Sequence, residues 1–258
     1  MESIKLLENI SEEFKKDIIE SVQSAIGDDI KLDMKVNELD TDNGNPMRIW
    51  DFINRNIGKK FSKDDFIITG VTQRGSWKMK FVFDKKLGIL YTLMREERFE
   101  SVRKEVPKRK TIHYCQALAE AFNKGLVAKE EQLSLFKNQD YYDVDKVNEI
   151  VNKIIMDLSI PENIVKNHAM ILFEGKNYEL ESVRCCIVNS NLSIVEDEDW
   201  SNYIEFNEST IMDVVESLEV KSENPSSGLK FRQKAKDKIG QKSLTARKEK
   251  ESGLKTVK

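Results

Sequence analysis

Apolar residues along the chain follow a helical period in some segments and a β period in others. Near the N-terminus their spacing predicts a helix or helix pair over the first thirty residues, ended by Gly27. The apolar positions there are Ile4, Leu7, Phe14, Ile18, Val22 and Ile26. After a turn-rich loop at residues 40–46, the apolar residues of 47–57 predict a short buried helix.

A β pattern comes next, in three runs at residues 66–71, 77–83 and 88–94. The short polar connections between them predict hairpins, and therefore an antiparallel meander. In the second run apolar and mostly charged positions alternate, which predicts a sheet packed on one side only. The apolar positions are Trp77, Met79, Phe81 and Phe83, and the alternate positions are Lys78, Lys80, Val82 and Asp84.

Charged and helical segments follow the meander. Residues 95–110 hold seven basic and four acidic residues and are interrupted by Pro107. Residues 112–127 are predicted to be a helix, and Asp143 is predicted to cap the next one. The inner face of the first helix is expected to hold Leu118, Ala121, Phe122 and Leu126. The apolar stripe of the second consists of Val147, Ile150, Val151, Ile154, Ile155 and Leu158.

A capping box at residues 159–162 predicts one more short helix before a second β group. The runs of this group are 169–173, 178–188 and 192–195, and a last helix is predicted at 207–218. The fold class is therefore α+β, with two antiparallel β meanders packed with five or six helices and a disordered basic C-terminal tail. The pattern leaves open whether the two meanders share one sheet.

The predicted organisation has four parts. A helical N-terminus and the first meander occupy residues 1–130, and an exposed connecting segment occupies 131–143. Helices and the second meander occupy 144–218, which forms one domain with 1–130 if the sheet is shared. The tail covers 219–258.

Composition indicates a cytoplasmic protein. The chain contains no run of 18 apolar residues and its N-terminus does not resemble a secretory signal. An odd number of cysteines without framework spacing indicates reduced thiols. Cys185 and Cys186 are adjacent and should point to opposite faces of a strand. With Cys115, they are expected to be buried apolar residues that bind no metal.

Charge is unevenly distributed along the chain. Residues 221–258 contain 12 basic and 4 acidic residues, a net +8, whereas the preceding 220 residues contain 30 basic and 41 acidic, a net −11. A cationic arm beside an acidic body favours nucleic-acid contact through phosphates. The alternatives are a solubilising tail or one folded back on the body. Candidate contacts are Lys230, Arg232, Lys234, Lys236, Lys238, Lys242, Arg247 and Lys248, with Arg74, Lys78 and Lys80 in the meander.

The connecting segment contains the sequence Gln132, Leu133, Ser134, Leu135, Phe136. This pentapeptide resembles the motif by which peptides dock on the bacterial DNA polymerase sliding clamp. Leu135 and Phe136 would fill an apolar pocket, Leu133 would cover its edge, and the Gln132 amide would form hydrogen bonds. The alternative is that these apolar side chains pack on the protein's own core. Polar residues on both sides favour an exposed segment.

Three further stretches, residues 49–53, 74–78 and 90–96, resemble an uncharacterised bacterial protein family of Bacillus-like organisms. The resemblance covers about residues 1–205. It implies no activity.

Catalytic motifs are sparse. Neither a phosphate-binding glycine loop nor a Cys-x-x-Cys pair is present, and the histidines are His113 and His168. His113 and Cys115 would diverge on a helix, and the acidic run at residues 196–199 is expected to be a solvated turn. A carboxylate–lysine nuclease would need Asp84, one of Glu96 and Glu97, and one of Lys78 and Lys80 together on a hairpin, but its usual Glu-x-Lys pattern is missing.

The leading hypothesis is a non-enzymatic DNA- or replication-associated protein that docks on the sliding clamp, without cofactor or metal. A metal-dependent nuclease, or another nucleic-acid enzyme, is one alternative. A protein-interaction module unrelated to DNA is the other. A protein from a phage or mobile element and a housekeeping factor would share these features.

Overall fold

The two predicted meanders form one continuous sheet. A computed structural model describes residues 5–106, 111–128, 143–161 and 163–205. The six strands of the sheet lie in sequence order, and neighbours are antiparallel except for β3 and β4, which are parallel. The strands are β1 Ile67–Arg74, β2 Trp77–Asp84, β3 Ile89–Arg95, β4 Asn167–Lys176, β5 Glu179–Val188 and β6 Ile194–Asp199. The parallel pair therefore joins the two meanders.

Helices cover both faces of this sheet. The described residues contain six α-helices, which confirms the α+β class. They are α1 Glu12–Ser24, α2 Ile30–Val36, α3 Asn45–Lys60, α4 Glu96–Glu105, α5 Tyr114–Phe122 and α6 Val144–Asp157. The first three contribute to the core on one face, and the last three to two clusters on the other.

Because strand side chains alternate between faces, adjacent residues enter different cores. Cys185 joins the core under α1 and α3, and Cys186 joins the cluster under α4 and α5, as predicted for this pair. The prediction that β2 packs on one side only was wrong. Val82 and Asp84 are buried as well as Phe81 and Phe83, because helices lie on both sides of this half of the strand.

The helical N-terminus extends further than predicted. Ser11 caps α1 by accepting a hydrogen bond from the Phe14 amide at 3.2 Å. Gly27 does not end the helix: a π-helical turn, Ala25–Asp29, leads directly into α2. Ala25, Ile26 and the first residue of α2 are buried there. This packing offsets the cost of about 1 kcal/mol for glycine within a helix.

Asp143 caps α6, and the apolar stripe of that helix is buried as predicted apart from Ile155, which is partly buried. The helix predicted from the capping box at 159–162 was wrong. Ser159 has a φ of +53° and its amide donates to the Met156 carbonyl, while the Ile160 amide donates to the Ile155 carbonyl. This pattern ends a helix and satisfies its last carbonyls. The serine therefore follows α6 and begins no new helix.

The structure adds a helix in the charged stretch after β3, for which no element was predicted, and the face of α5 differs from prediction. Residues 96–105 form α4, because Phe99 and Val102 lie three residues apart and are both buried. In α5 the buried residues are Cys115–Ala119, and the predicted inward residue Ala121 is exposed.

The acidic run at residues 196–199 is part of β6, so the predicted solvated turn was wrong. The Glu196 carboxylate accepts hydrogen bonds from the Leu6 and Leu7 amides at 2.7 and 3.0 Å. Glu198 accepts from Lys15 Nζ at 2.5 Å and from Nε1 of the fully buried Trp200 at 2.9 Å. These carboxylates attach the N-terminal segment and α1 to the edge of the sheet.

Several predicted features lie outside the described residues: the pentapeptide at 132–136, the helix at 207–218 and the tail at 219–258. The described residues up to Glu205 cluster as one compact unit. Among the described helices, none has the length and apolar character needed to span a membrane.

Asn123, at the end of α5, connects that helix to two strands. Its side chain is buried and its Nδ2 donates to the His168 and Val188 carbonyls, both at 2.8 Å. Its Oδ1 accepts from the His168 amide at 3.0 Å. One side chain thus satisfies three buried backbone groups of β4 and β5.

Asn123→Ala should lower the free energy of unfolding by about 3 kcal/mol, because it leaves these three buried backbone groups without partners. Urea denaturation of both proteins would measure this loss. The matched control is Lys124→Ala, which removes an exposed side chain that pairs with Glu120 on the surface of α5. It should change stability by less than about 0.5 kcal/mol. Equal losses for the two variants would contradict the assigned role.

His168 is fully buried, and its Nε2 lies 3.0 Å from Thr92 Oγ1. Within the described residues its Nδ1 has no hydrogen-bond partner. Burial lowers the pKa of His168 from 6.5 to about 3, so the folded protein holds it neutral. The unfolded chain binds this proton near pH 6.5. The stabilisation is therefore complete above pH 6.5 and is lost as the pH falls towards 3.

Between pH 6 and pH 4, His168 should contribute a slope of about 1.4 kcal/mol of unfolding free energy per pH unit. His168→Gln removes the titrating group and should flatten the pH dependence by about this amount. Denaturation curves at several pH values would give the slope of unfolding free energy against pH for the wild type and for the variant. The carboxylates titrate in both proteins, so the difference between the slopes reports His168. Parallel curves would show that His168 does not titrate as its burial implies.

Candidate anion-binding cleft

A cleft opens in the sheet where β2 and β3 separate. β2 pairs with β1 along all eight of its residues, but with β3 only from Val82 to Asp84. Residues 77–81 of β2 have no partner in β3, so the two strands diverge there. The Lys80 amide donates instead to Asn54 Oδ1 of α3 at 3.0 Å. A side chain therefore replaces the missing strand partner at the inner end of the cleft.

The cleft has a volume of about 500 Å³ and combines positive charge with aromatic rings. Three arginines, Arg74, Arg95 and Arg98, line it together with three aromatic residues, Trp50, Trp77 and Tyr114. His113, Thr111 and aliphatic and methionine side chains complete the lining. None of the described lining residues is acidic. The cleft is thus suited to an anion.

The arginines come from three different ends of secondary structure. Arg74 ends β1 and is the partner of Trp77 across the hairpin. Gly75, with a φ of +60°, allows the two-residue connection that holds this pair side by side. Arg95 ends β3, and Arg98 lies in the first turn of α4.

The carboxylate next to Arg95 in sequence is already engaged. Glu96 accepts hydrogen bonds from Arg184 on β5 at 2.6 and 3.0 Å, and Arg184 also contacts Asp197 at 3.0 Å. Within the part of the chain that the structure describes, the three cleft arginines form no salt bridge. Their charge remains available to a bound phosphate or carboxylate.

The core supports the aromatic rings from behind. Trp50 meets Trp77 edge-on at 6.1 Å between ring centroids, and meets Phe173 at 5.5 Å. Tyr114 packs edge-on against Phe81 at 6.1 Å. Trp50 and Trp77 are both half-buried, so these supported rings also reach the cleft.

The predicted basic residues of the first meander lie in different environments. Arg74 lines the cleft, whereas Lys78 is exposed and does not line it. Lys80 borders a small adjoining cavity and its Nζ lies against Gly58, where burial lowers its pKa. Sequence reasoning missed Arg98 and the three aromatic residues. In the sequence, Arg98 was one charge in a charged stretch, and Trp50 and Trp77 were candidate core residues. Tyr114 lay in a predicted helix, outside the inner face expected for it.

The geometry does not assemble the nuclease site considered from sequence. Asp84 ends β2, where its carboxylate accepts from the Lys86 and Leu87 amides at 2.7 and 3.0 Å. It is the register partner of Ile89, seven residues before Glu96, or about 20 Å along the strand. No cluster of three His, Cys, Asp or Glu residues suited to a metal occurs among the described residues.

The thiols offer no nucleophile either. His113 caps α5, and its Nδ1 accepts a hydrogen bond from the Cys115 amide at 3.3 Å. Burial raises the pKa of Cys115 to about 12, so its thiol stays protonated at neutral pH. All three cysteines are free and buried, as predicted.

Comparison with known proteins gives one finding. Neither the curated proteins nor the solved structures contain a match to this chain. A family model described as a family of unknown function, DUF5986, matches residues 7–247. The expected relation to an uncharacterised family is confirmed, and the chain belongs to DUF5986, a family of unknown function.

Proposed function

We propose that this protein is a non-enzymatic, nucleic-acid-associated binding protein whose body contacts phosphates through the cleft. The observation that carries this proposal is the grouping of Arg74, Arg95 and Arg98 in a cavity without an acidic residue among its described lining. Arginine binds phosphate through its planar, multidentate group. Phosphate contacts of this kind supply most of the affinity for nucleic acid and position the protein on it.

The overall charge makes such a site significant. The first 220 residues carry a net charge of −11, which repels a polyanion unless positive charge is concentrated locally. The cleft supplies this concentration in the body. The candidate tail residues, from Lys230 to Lys248, remain proposed phosphate contacts and would raise the local concentration of nucleic acid near the body.

The separation of Asp84 from Glu96 and the high pKa of the Cys115 thiol support a binding role without catalysis. The competing proposal is a nucleic-acid enzyme. Metal-dependent cleavage of DNA that is abolished by Asp84→Ala would support it. The three free, buried thiols are compatible with the proposed bacterial cytoplasm.

The triple variant Arg74→Ala, Arg95→Ala, Arg98→Ala should weaken DNA or RNA binding strongly, with each substitution costing roughly tenfold in affinity. The slope of log affinity against log salt should fall by about one for each arginine–phosphate pair that the substitutions remove. Fluorescence anisotropy of a labelled oligonucleotide, measured at several salt concentrations with the full chain, gives both quantities.

Arg103→Ala is the matched control because it removes the same charge from α4 outside the cleft, where Arg103 pairs with Glu100 at 3.4 Å. It should reduce affinity only slightly. The tail contributes equally in every variant. Triple-variant binding as tight and as salt-dependent as that of the Arg103 variant would contradict a role for the cleft.

We further propose that residues 132–136 dock this protein on the bacterial DNA polymerase sliding clamp. Support comes from the sequence: a glutamine, two leucines and a phenylalanine stand between Lys129, Glu130 and Glu131 on one side and Lys137 on the other. Apolar side chains in such polar surroundings favour a partner. The clamp would then bring the nucleic-acid-binding cleft to replicating DNA, either to recruit an activity or to inhibit synthesis.

Leu135→Ala with Phe136→Ala should abolish most clamp binding, because burial of these side chains contributes roughly 3–5 kcal/mol before the cost of association. Calorimetry with a purified bacterial clamp measures this loss, and an unchanged thermal unfolding curve verifies the fold. Lys129→Ala, which lies beside the motif, is the control and should bind like the wild type. Undiminished binding by the double variant would exclude docking through this peptide.

A further inference from the structure

We infer that the cleft selects single-stranded nucleic acid by stacking one unpaired base on Trp77, which Trp50 supports edge-on, while Arg74 holds the adjacent phosphate. This inference rests on the proposed function and specifies the ligand of that site. It gives the two tryptophans a role in specificity. Phosphate binding by the arginines alone would not need them.

The dimensions fit one nucleotide unit. A volume of about 500 Å³ lies within the range of pockets that hold one drug-sized ligand, a size class that includes a nucleotide. A base in a duplex is already stacked and paired, and would have to leave the helix to enter. An unpaired base in a single strand can enter without this cost.

The rings are arranged for stacking at low entropic cost. Trp50 and Trp77 support each other edge-on at 6.1 Å, and Phe173 supports Trp50 at 5.5 Å. Rings held in this way lose little side-chain freedom on binding. Stacking on aromatic side chains accepts any base, because every base has a π face.

The positive charge stands at the distance that a nucleotide requires. Arg74 and Trp77 are register partners across a tight hairpin, which places their β-carbons about 5 Å apart. A base on Trp77 and its own phosphate on Arg74 therefore match one nucleotide. Arg95 and Arg98, from other elements, can hold the next phosphates along the strand.

A peptide strand added between β2 and β3 is the main competing occupant, because both strands diverge there. Charge favours nucleic acid over an ordinary peptide: three arginines line the cleft, and none of its described lining residues is acidic.

The chain carries its own optical probe. It has three tryptophans, of which Trp50 and Trp77 line the cleft and Trp200 is fully buried elsewhere. Titration of the full protein with a single-stranded oligonucleotide should quench tryptophan emission saturably. The double variant Trp50→Phe, Trp77→Phe retains only Trp200 and should show no ligand-dependent change. Residues 206–258 contain no tryptophan, so tail binding alone cannot produce the signal.

Affinity measurements test the same inference independently. Trp77→Ala should weaken single-strand binding roughly tenfold, and Trp77→Phe should restore most of the loss because phenylalanine also stacks. Duplex binding should be unchanged in both variants. If the alanine variant does not fold, Trp77→Leu compared with Trp77→Phe makes the same distinction between apolar and aromatic side chains.

The outcomes separate this inference from the proposed function. In one outcome the arginine variants lose binding, but Trp77→Ala binds single strands like the wild type and no quenching occurs. This outcome overturns base stacking and leaves the phosphate contacts intact. If neither the arginine variants nor the tryptophan variants change binding, both base stacking and phosphate binding by the cleft are overturned. If quenching titrations give a nucleoside monophosphate the same affinity as the oligonucleotide, the ligand is a free nucleotide and the single-strand assignment is overturned.

Discussion

Seven consecutive residue pairs between β3 and β4 hold the two meanders in one sheet, and the rest of the architecture depends on this parallel contact. Both strands are buried through most of their length, because parallel pairing places them at the centre of the sheet. Parallel neighbours also need a long crossover connection. The chain between them contains α4, α5 and α6, which cover one face of the sheet, while α1 to α3 cover the other.

The cleft lies on the opposite edge of β3 from this contact. β3 pairs with β4 along its whole length but with β2 over three residues, and β2 instead follows β1. The sheet separates within the first meander, away from the junction between the meanders. Polar side chains then satisfy backbone groups that no strand partner reaches: Asn54 accepts from Lys80, and Asn123 connects α5 to β4 and β5. Hydrogen bonding is preserved while the cavity stays open.

The chemistry of the cleft arises from elements far apart in sequence. Trp50 comes from α3, Arg74 and Trp77 from the hairpin, Arg98 from α4 and Tyr114 from the start of α5. The carboxylate of Glu96, next to Arg95 in sequence, is occupied by its pairing with Arg184. A positive, aromatic cavity can therefore form in a body with a net charge of −11. This contrast is the physical basis of the proposed role in binding nucleic acid.

Local elements and the class of fold followed from the order of residues alone. Runs of β-forming residues located five strands and the start of the sixth, whose acidic half at 196–199 was taken for a turn. Asp143 and its apolar stripe identified α6, and adjacency placed Cys185 and Cys186 on opposite faces. Errors occurred where the same residue suits two roles. Ser159 can begin a helix or follow one, and only the hydrogen bonds to the carbonyls of α6 decided between them. Gly27 can end a helix unless packing holds the chain helical.

The cleft, in contrast, exists only in the folded chain. Periodicity reports which side chains are buried, but not which strands pair or for how many residues. β2 and β3 pair over only three residues, and no local pattern in either strand reports where that pairing ends. Arg74 was a candidate from its charge alone, yet its association with Trp50, Arg98 and Tyr114 required the complete sheet and both helical layers. Burial is encoded locally, whereas a binding site assembled across layers is encoded only by their packing.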